Sequence, residues 1–513
     1  MRIKVPGLCR HAPAFILLCA LFIRLWGITL PPVDYHHWRQ TYTAMQAQYY
    51  FQDSFNFLDP RIRLYNFRNI IEFPLYTYVV GMLARVVGFS DFLARFVSVL
   101  FSLGAAFSVY QTGLRISGRI GGFVSGMLFA ILPLCVFYTR AIMHESALLF
   151  CSALALHMFF EWEHSGQTKY LRIGLLAALL AVLIKPLSVA LYFPIFILLF
   201  LSFRKSFLRP RHFPEILVSL LIIPLWYKLR PLFFDSDMDV RLQYFYTSAD
   251  SLAVTLKLLV DPSTYRTLYV TRLGEYMLAF GGYFLLLAAL FRILFRAIRK
   301  ILPSPHEIVL CVWFFAVNGF YLFALVTNLQ HEYYQLPVIL PSVLIVGSFC
   351  ALVLEEKSEA PGKWKKIFVY FCLTMVPFFS AYRLHSRLEG DYSFYEFGQA
   401  AKQIIPPGRD VIYLEESPRT ETAYFTDRPG YLLISLGAMS YPQIVGQDAS
   451  SRAILELEQY RTMGAKYLVC PYPNFFDHLP ELKAYLDNIH HRVGSRGFVY
   501  ELKNIPARSG QTP

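Results

Sequence analysis

The chain predicts a polytopic α-helical membrane protein of about eleven transmembrane helices, with outer-surface juxtamembrane helices and a small C-terminal α/β domain. Three observations carry this. Of the 513 residues, 56% are apolar and only 16% are charged, where a soluble globular chain averages about 25% charged. Apolar stretches of roughly 16 to 24 residues recur between residues 13 and 383, the length a helix needs to cross hydrocarbon. Beyond residue 383 the pattern changes to short helical and strand-like runs.

The candidate spans are 13–30, 95–114, 120–138, 146–162, 170–184, 187–203, 213–228, 275–298, 307–327, 335–353 and 366–383. Met1–Arg10 is basic and precedes an apolar run, as in a signal peptide. Pro13–Leu30 is long for such a run and lacks a small-residue cleavage site, so it reads as an uncleaved first span. Lys and Arg concentrate in cytoplasmic loops and fix the orientation. With the N-terminus inside, the inner segments hold Arg2, Lys4 and Arg10; Arg115 and Arg119; Lys169 and Arg172; Arg204, Lys205, Arg209 and Arg211; Arg292, Arg296, Arg299 and Lys300; Lys357, Lys363, Lys365 and Lys366. Topology thus explains the net charge of +13, and no nucleic-acid partner is needed. The eight cysteines lie mostly inside apolar segments, with neither metal-type spacing nor a disulfide framework.

Phe73–Val87 is apolar but short for a span, and counting it as one would put the basic clusters outside. It reads as a helix on the outer surface, entered through Pro74. Residues 38–51 read as a second such helix, with Trp38, Tyr42, Met45 and Tyr49 as an apolar stripe. The first outer loop, 31–94, therefore hugs the membrane, and the second, 229–274, reads as mostly irregular. The division is 1–383 as a membrane domain and 384–513 as an extracytoplasmic domain. In the latter, 395–405 and 451–463 read as helices, and 411–414, 467–469 and 499–502 as strands. No glycine fingerprint marks it as a nucleotide binder.

The polar residues that anchoring does not explain share the outer side. They include Asp34, His36, His37, Arg39, Gln40 and Glu72 in the first loop, Arg140, His144 and Glu145 in the next, then Lys185 and His331. Arg24 lies within the first span, six residues before its outer end. Each has a plainer reading beside the functional one. Arg24 can snorkel, Arg140 and Glu145 can pair with each other, and Lys185 and the Tyr333–Tyr334 turn can anchor the interface. Asp34 can cap the following helix. The histidines can be hydrogen-bonded support rather than metal ligands. Together, the bases suit an anionic headgroup, and a carboxylate suits proton abstraction from a hydroxyl.

Five motifs carry a family resemblance. They are Asp34-x-His36-x-Trp38-Arg39-Gln40, Glu72-Phe73-Pro74-Leu75-Tyr76, Tyr138-Thr139-Arg140 with His144-Glu145, Lys185-Pro186, and His331-Glu332-Tyr333-Tyr334-Gln335-Leu336-Pro337. In this order, over residues 12–345, the chain resembles a type C glycosyltransferase of the protein-mannosyltransferase and aminoarabinose-transferase superfamily. The resemblance implies a multi-pass protein of the inner or plasma membrane whose active site faces outward. It implies a polyprenyl-phosphate-linked sugar donor, a hydroxyl acceptor, and an inverting single displacement without a sugar nucleotide. Asp34 would be the catalytic base. Arg140, Lys185 or Arg24 would stabilise the departing phosphate. His36, Arg39, Glu72 and Glu145 would orient sugar and acceptor, and Gln40 and His331 complete the candidate binding set. Aminoarabinose transferases have Lys-Pro-Pro where this chain has Glu72-Phe73-Pro74, so a phosphate-binding lysine is missing there. A divalent metal held by Asp34, Glu145 and a histidine stays open. A lipid or glycan transporter is the alternative. Transporters tend to place charges near the midplane of repeated halves, whereas here the charges lie at outer ends and no repeat is evident.

Overall fold

A computed structural model describes residues 11–67, 72–205, 209–233, 252–356, 360–415, 419–434, 449–477, 479–493 and 497–503. The basic Met1–Arg10 stretch, Lys357 and residues 234–251 of the second outer segment lie outside the described residues. The chain gathers into two compact units that do not follow chain order. The first comprises Met1–Leu30, Ile71–Leu232 and Thr247–Glu389, and the second Pro31–Ile70, Phe233–Tyr246 and Gly390–Pro513. The sequence places a boundary at 383/384. Contacts instead carry the last helix of the first unit to Leu388 and gather most of the first outer loop with the C-terminal residues.

The first unit is helical. Among the described residues, six helices are long and apolar enough to cross a membrane: Asp91–Ile131, Pro186–Arg204, Gly281–Ile298, Pro305–Phe323, Glu332–Glu355 and one within Gly362–Ile404. Ala12–Leu25 and Leu75–Val87 are shorter apolar helices. In Ala12–Leu25, Ile16, Ala20 and Arg24 recur every fourth residue and are fully buried, while Phe15, Leu18 and Phe22 on other faces are half exposed or more. Asp91–Ile131 is two helices joined at a kink, where Ser117 and Gly118 leave helical geometry. That is where Arg115 and Arg119 predict a turn. The arms lie close enough that a Cβ on Gly113 would meet Gly122 Cα at 2.9 Å. The same seam admits Ile339–Glu355. Ser125 Oγ donates to Val343 O at 3.0 Å, and a side chain on Gly347 would collide with Ser125. Small residues let these backbones approach closely, as helix packing in lipid requires.

Three readings are corrected. The span 120–138 is broken, with its helix ending at Ile131 and a new one running Pro133–Tyr138, because Pro133 cannot donate a backbone hydrogen bond. The segment 229–274 is not mostly irregular. Residues 252–277 are helical, ending in a π-helix over Arg266–Met277. The helix His37–Gln52 does not expose a polar face over a membrane-lying stripe, since every residue from Arg39 to Ala47 is buried. Leu75–Val87 does keep two faces: Tyr76, Val80 and Ala84 are buried, and Val86 and Val87 are exposed.

The second unit is built on a five-stranded sheet. Strands are β1 (Val411–Glu415), β2 (Gly430–Ile434), β3 (Tyr467–Cys470), β4 (His491–Arg492) and β5 (Phe498–Glu501), in the order β2-β1-β3-β5-β4. β1 runs parallel to β2 and β3, and β5 runs antiparallel to β3 and β4. Parallel strands need crossovers, and helices Glu421–Thr426 and Ala449–Thr462 lie in the two intervening connections. Leu457, Leu468, Leu482, Leu486 and Tyr500 form part of its core. Residues 63–66 extend this sheet at β2. Leu64 bridges Gly430 in parallel, Tyr65 N donates to Gly430 O at 2.8 Å and Gly430 N to Arg63 O at 3.0 Å. Asn66 closes a reciprocal pair with Leu432, both bonds at 2.8 Å. A Cβ on Gly430 would collide with Val411 O, so only glycine fits.

Glu415 ends β1 almost fully buried, and burial together with the neighbouring Glu421 holds its carboxyl well above the usual carboxylate range. The folded unit therefore keeps a proton that the unfolded chain releases at an ordinary glutamate value of about 4.3. Stability from this group is full below that value and falls as pH rises towards the folded value. Thermal unfolding of the full chain from about pH 4 to pH 8 should show this decline. Glu415→Gln should flatten it and raise the transition at neutral pH.

Candidate functional site

The broken span builds the centre of the first unit. Pro133 lacks the N–H that would satisfy Phe129 O, and Leu132 turns extended, which also leaves Ala130 O without its helical donor. Arg24 supplies both. Its guanidinium donates to Ala130 O at 2.8 Å, Phe129 O at 3.4 Å, Ala20 O at 3.1 Å and Thr139 Oγ1 at 2.8 Å, and lies 3.8 Å from Cys135 Sγ. Arg24 is fully buried. It does not snorkel: its donors fasten the break.

The chain then passes through the turn Thr139–His144 into the helix Glu145–Ser165. Arg140 donates to Gly27 O at 3.0 Å. Glu145 pairs not with Arg140 but with Lys185, whose Nζ donates to Glu145 Oε1. Both are nearly fully buried. Lys185 follows the helix Thr168–Ile184, where Pro186 starts a 3-10 turn. Its Nζ sits 4.3 Å from the Tyr333 ring centroid and 4.7 Å from that of Tyr334. A desolvated ammonium gains from such faces as well as from the carboxylate. His331 stacks on Tyr333 with centroids 5.3 Å apart at 13°. His144 Nδ1 lies 3.8 Å from Glu72 Oε2, beyond direct hydrogen bonding, and its ring meets the edge of Tyr76.

A second charged pair adjoins the same tyrosine. Glu332 accepts from Tyr138 OH at 3.0 Å and from Arg387 at 2.8 Å, and the Tyr138 ring lies 6.0 Å from Tyr333 in an edge contact. Tyr333 thus lies against both Lys185 and the Glu332 partner. Glu332 and Tyr138 stand inside the motifs Tyr138-Thr139-Arg140 and His331-Glu332, but no sequence signal marks them as partners. Arg387 lies beyond the apolar run 366–383, in the part of the last helix that reaches Leu388. Its signal was a basic residue one turn beyond the apolar run.

The other candidates belong to the second unit. Asp34 is buried, and its Oδ1 accepts from Gln40 Nε2 at 2.5 Å. The helix begins after His36, which is left-handed (φ 57°) and makes no side-chain cap bond, so Asp34 is not the cap. Arg39 is buried, with its guanidinium 5.8 Å from the Trp38 ring and 5.7 Å from Tyr42. His36 packs on Tyr35 at 4.3 Å. His37 Nδ1 lies 2.8 Å from Glu421 Oε1, a supporting contact. Among the described residues, no three His, Cys, Asp or Glu side chains gather as a metal site.

Removing Lys185 alone strands the Glu145 carboxylate in an apolar interior. Lys185→Met should cost about 3–5 kcal/mol in detergent-unfolding measurements. The double variant Glu145→Gln/Lys185→Met should cost clearly less than the sum of the single losses.

Residues 72–227 match the family described as dolichyl-phosphate-mannose-protein mannosyltransferase. No curated protein matches the chain. Among solved structures, ArnT from Cupriavidus metallidurans bound to undecaprenyl phosphate is similar over 97% of this chain and 99% of that one, with a TM-score of 0.61 at 13% identity. The apo Archaeoglobus fulgidus oligosaccharyltransferase is similar over 99% of this chain and 76% of that one, with a TM-score of 0.59 at 12% identity. The archaeal oligosaccharyltransferase AglB from the same organism, in complex with an inhibitory peptide and a dolichol-phosphate, gives 0.57 at 11% identity over 98% and 75%. The chain thus shares the fold of these structures, and the family match spans the segments that carry Glu72, Arg140, Glu145 and Lys185.

Proposed function

We propose that this protein is an integral membrane glycosyltransferase that moves a sugar from a polyprenyl-phosphate carrier to a hydroxyl of an extracytoplasmic lipid, glycan or protein. The observation that carries the reading is the likeness, over 97% of the chain, to a structure bound to undecaprenyl phosphate. In the proposed reaction Asp34 takes the proton of the acceptor hydroxyl as its oxygen bonds to the anomeric carbon. The bond from that carbon to the phosphate oxygen breaks, and polyprenyl phosphate leaves with the electron pair. Gln40, bonded to Asp34, orients the carboxylate. Arg140 and Lys185 stabilise the leaving phosphate. For Lys185 this requires the phosphate to displace or share the Glu145 carboxylate that now holds it. His36, Arg39, Glu72, Glu145 and His331 orient sugar and acceptor. Glu72, standing where aminoarabinose transferases carry lysine, favours hydrogen bonding to sugar hydroxyls over phosphate binding.

The protein would lie in the inner or plasma membrane with about eleven spans, the short apolar helices completing the count. Reporter fusions after Phe89 and Arg299 should report outside and inside respectively. An inside signal at Phe89 would make Leu75–Val87 a span and reverse the later loops.

Asp34→Asn should yield a folded, membrane-inserted protein whose transfer rate falls about 100- to 10,000-fold. Cells with that variant, or none, should accumulate the sugar-loaded polyprenyl phosphate, which mass spectrometry of lipid extracts would name. Full transfer by Asp34→Asn would remove Asp34 as the base, and an unchanged lipid pool in a knockout would overturn the donor class.

A further inference from the structure

We propose that the second unit carries a saccharide-binding site in the cavity between the C-terminal end of helix His37–Gln52 and the strip Arg61–Tyr65 that borders β2. The cavity holds about 300 Å³ and is lined by Tyr49, Asp53, Arg61, Arg63, Tyr65 and Pro429 among others. That is the lower end of the roughly 300–1,000 Å³ of small-molecule sites. The proposal concerns binding alone and is independent of the transferase reading.

Its walls are fixed before any ligand arrives. Arg63, Leu64 and Tyr65 are held by the backbone pairing with Gly430. Tyr65 OH donates to Asp410 at 3.1 Å, and its ring stands edge-on to Tyr431 at 5.2 Å. Yet Tyr65 is 48% exposed. Asp59 accepts from Arg61 Nε at 2.6 Å and from Tyr49 OH at 3.2 Å, fixing both side chains. Preorganised walls lower the entropy cost of binding.

The lining chemistry selects the ligand class. A sugar ring presents hydroxyls, each both donor and acceptor, beside apolar C–H faces. Guanidinium donors, the acceptor Asp53 and flat tyrosine rings match that mixture. A simple anion site would need uncompensated positive charge. Here Arg61 already pairs with Asp59, and Arg63 lies 3.8 Å from Asp427. The lining therefore recognises hydroxyl geometry rather than charge.

Saturation-transfer NMR on the full chain in detergent tests this with methyl glycosides of glucose, galactose, mannose, N-acetylglucosamine and arabinose, with competition by inorganic phosphate. At least one glycoside should bind saturably and resist phosphate. Its affinity should drop about fivefold or more in Tyr65→Ala and in Arg63→Ala, while Tyr65→Phe, which keeps the ring, should retain most of it. No glycoside signal, displacement by phosphate, or equal affinity in the alanine variants would each overturn the site. Circular dichroism of each variant separates loss of the site from loss of the fold.

Discussion

Several helix ends and breaks in the first unit leave carbonyls that hydrocarbon cannot satisfy, and buried arginines answer them. In lipid each backbone polar group must find an internal partner. Arg24 serves the break before Pro133. Arg95 donates to Gly27 O and Leu30 O at 3.2 and 2.7 Å, beyond the end of the first helix, and Arg140 adds a bond to Gly27 O. Arg272, on the π-helix, donates to Asn328 O and Leu329 O near the end of Leu325–Gln330. The planar fork of five N–H groups suits this task better than a lysine. The breaks in turn let the chain place a short turn, Thr139–His144, between helices, where continuous helices would leave no irregular backbone to carry polar side chains inward.

Two buried ion pairs inside this unit share aromatic faces. Lys185–Glu145 and Arg387–Glu332 meet around Tyr138 and Tyr333. In the proposed reaction a phosphate that displaced the Glu145 carboxylate from Lys185 would exchange one desolvated anion for another.

Much of this was legible in the sequence where the physics is local. Hydropathy marks the spans, and Arg115 and Arg119 mark the turn between two arms that meet at the Ser117–Gly118 kink. Membrane-edge charges such as Glu145 and Lys185 stand out because burying them is costly. Their partners were not legible, because pairing is a property of packing. Arg24 gave no sign that its role depends on a missing N–H at Pro133, and the apolar run 120–138 hid the break itself. In the tail, β1, β3 and β5 were readable as short apolar runs. β2 opens directly on Pro429-Gly430, which reads as a turn and hides the strand behind it, and helix Glu421–Thr426 is too short to show a period. The strip at Leu64 could not be assigned to a sheet edge whose strand is encoded far downstream.

That strip has a kinetic consequence. Asn66 and Leu432 lie 366 residues apart, so the sheet edge that holds the loop 31–70 does not exist while that loop is being made. At about 5–20 residues per second, synthesis leaves an interval on the order of 20–70 s between the two. During that time Tyr42 and Met45, buried in the finished protein, await their final surroundings, and the membrane helices are made first. The second unit can only fold late, after most of the chain has been inserted, and a chain cut short before β2 would leave the loop that carries Asp34 without the sheet on which it rests.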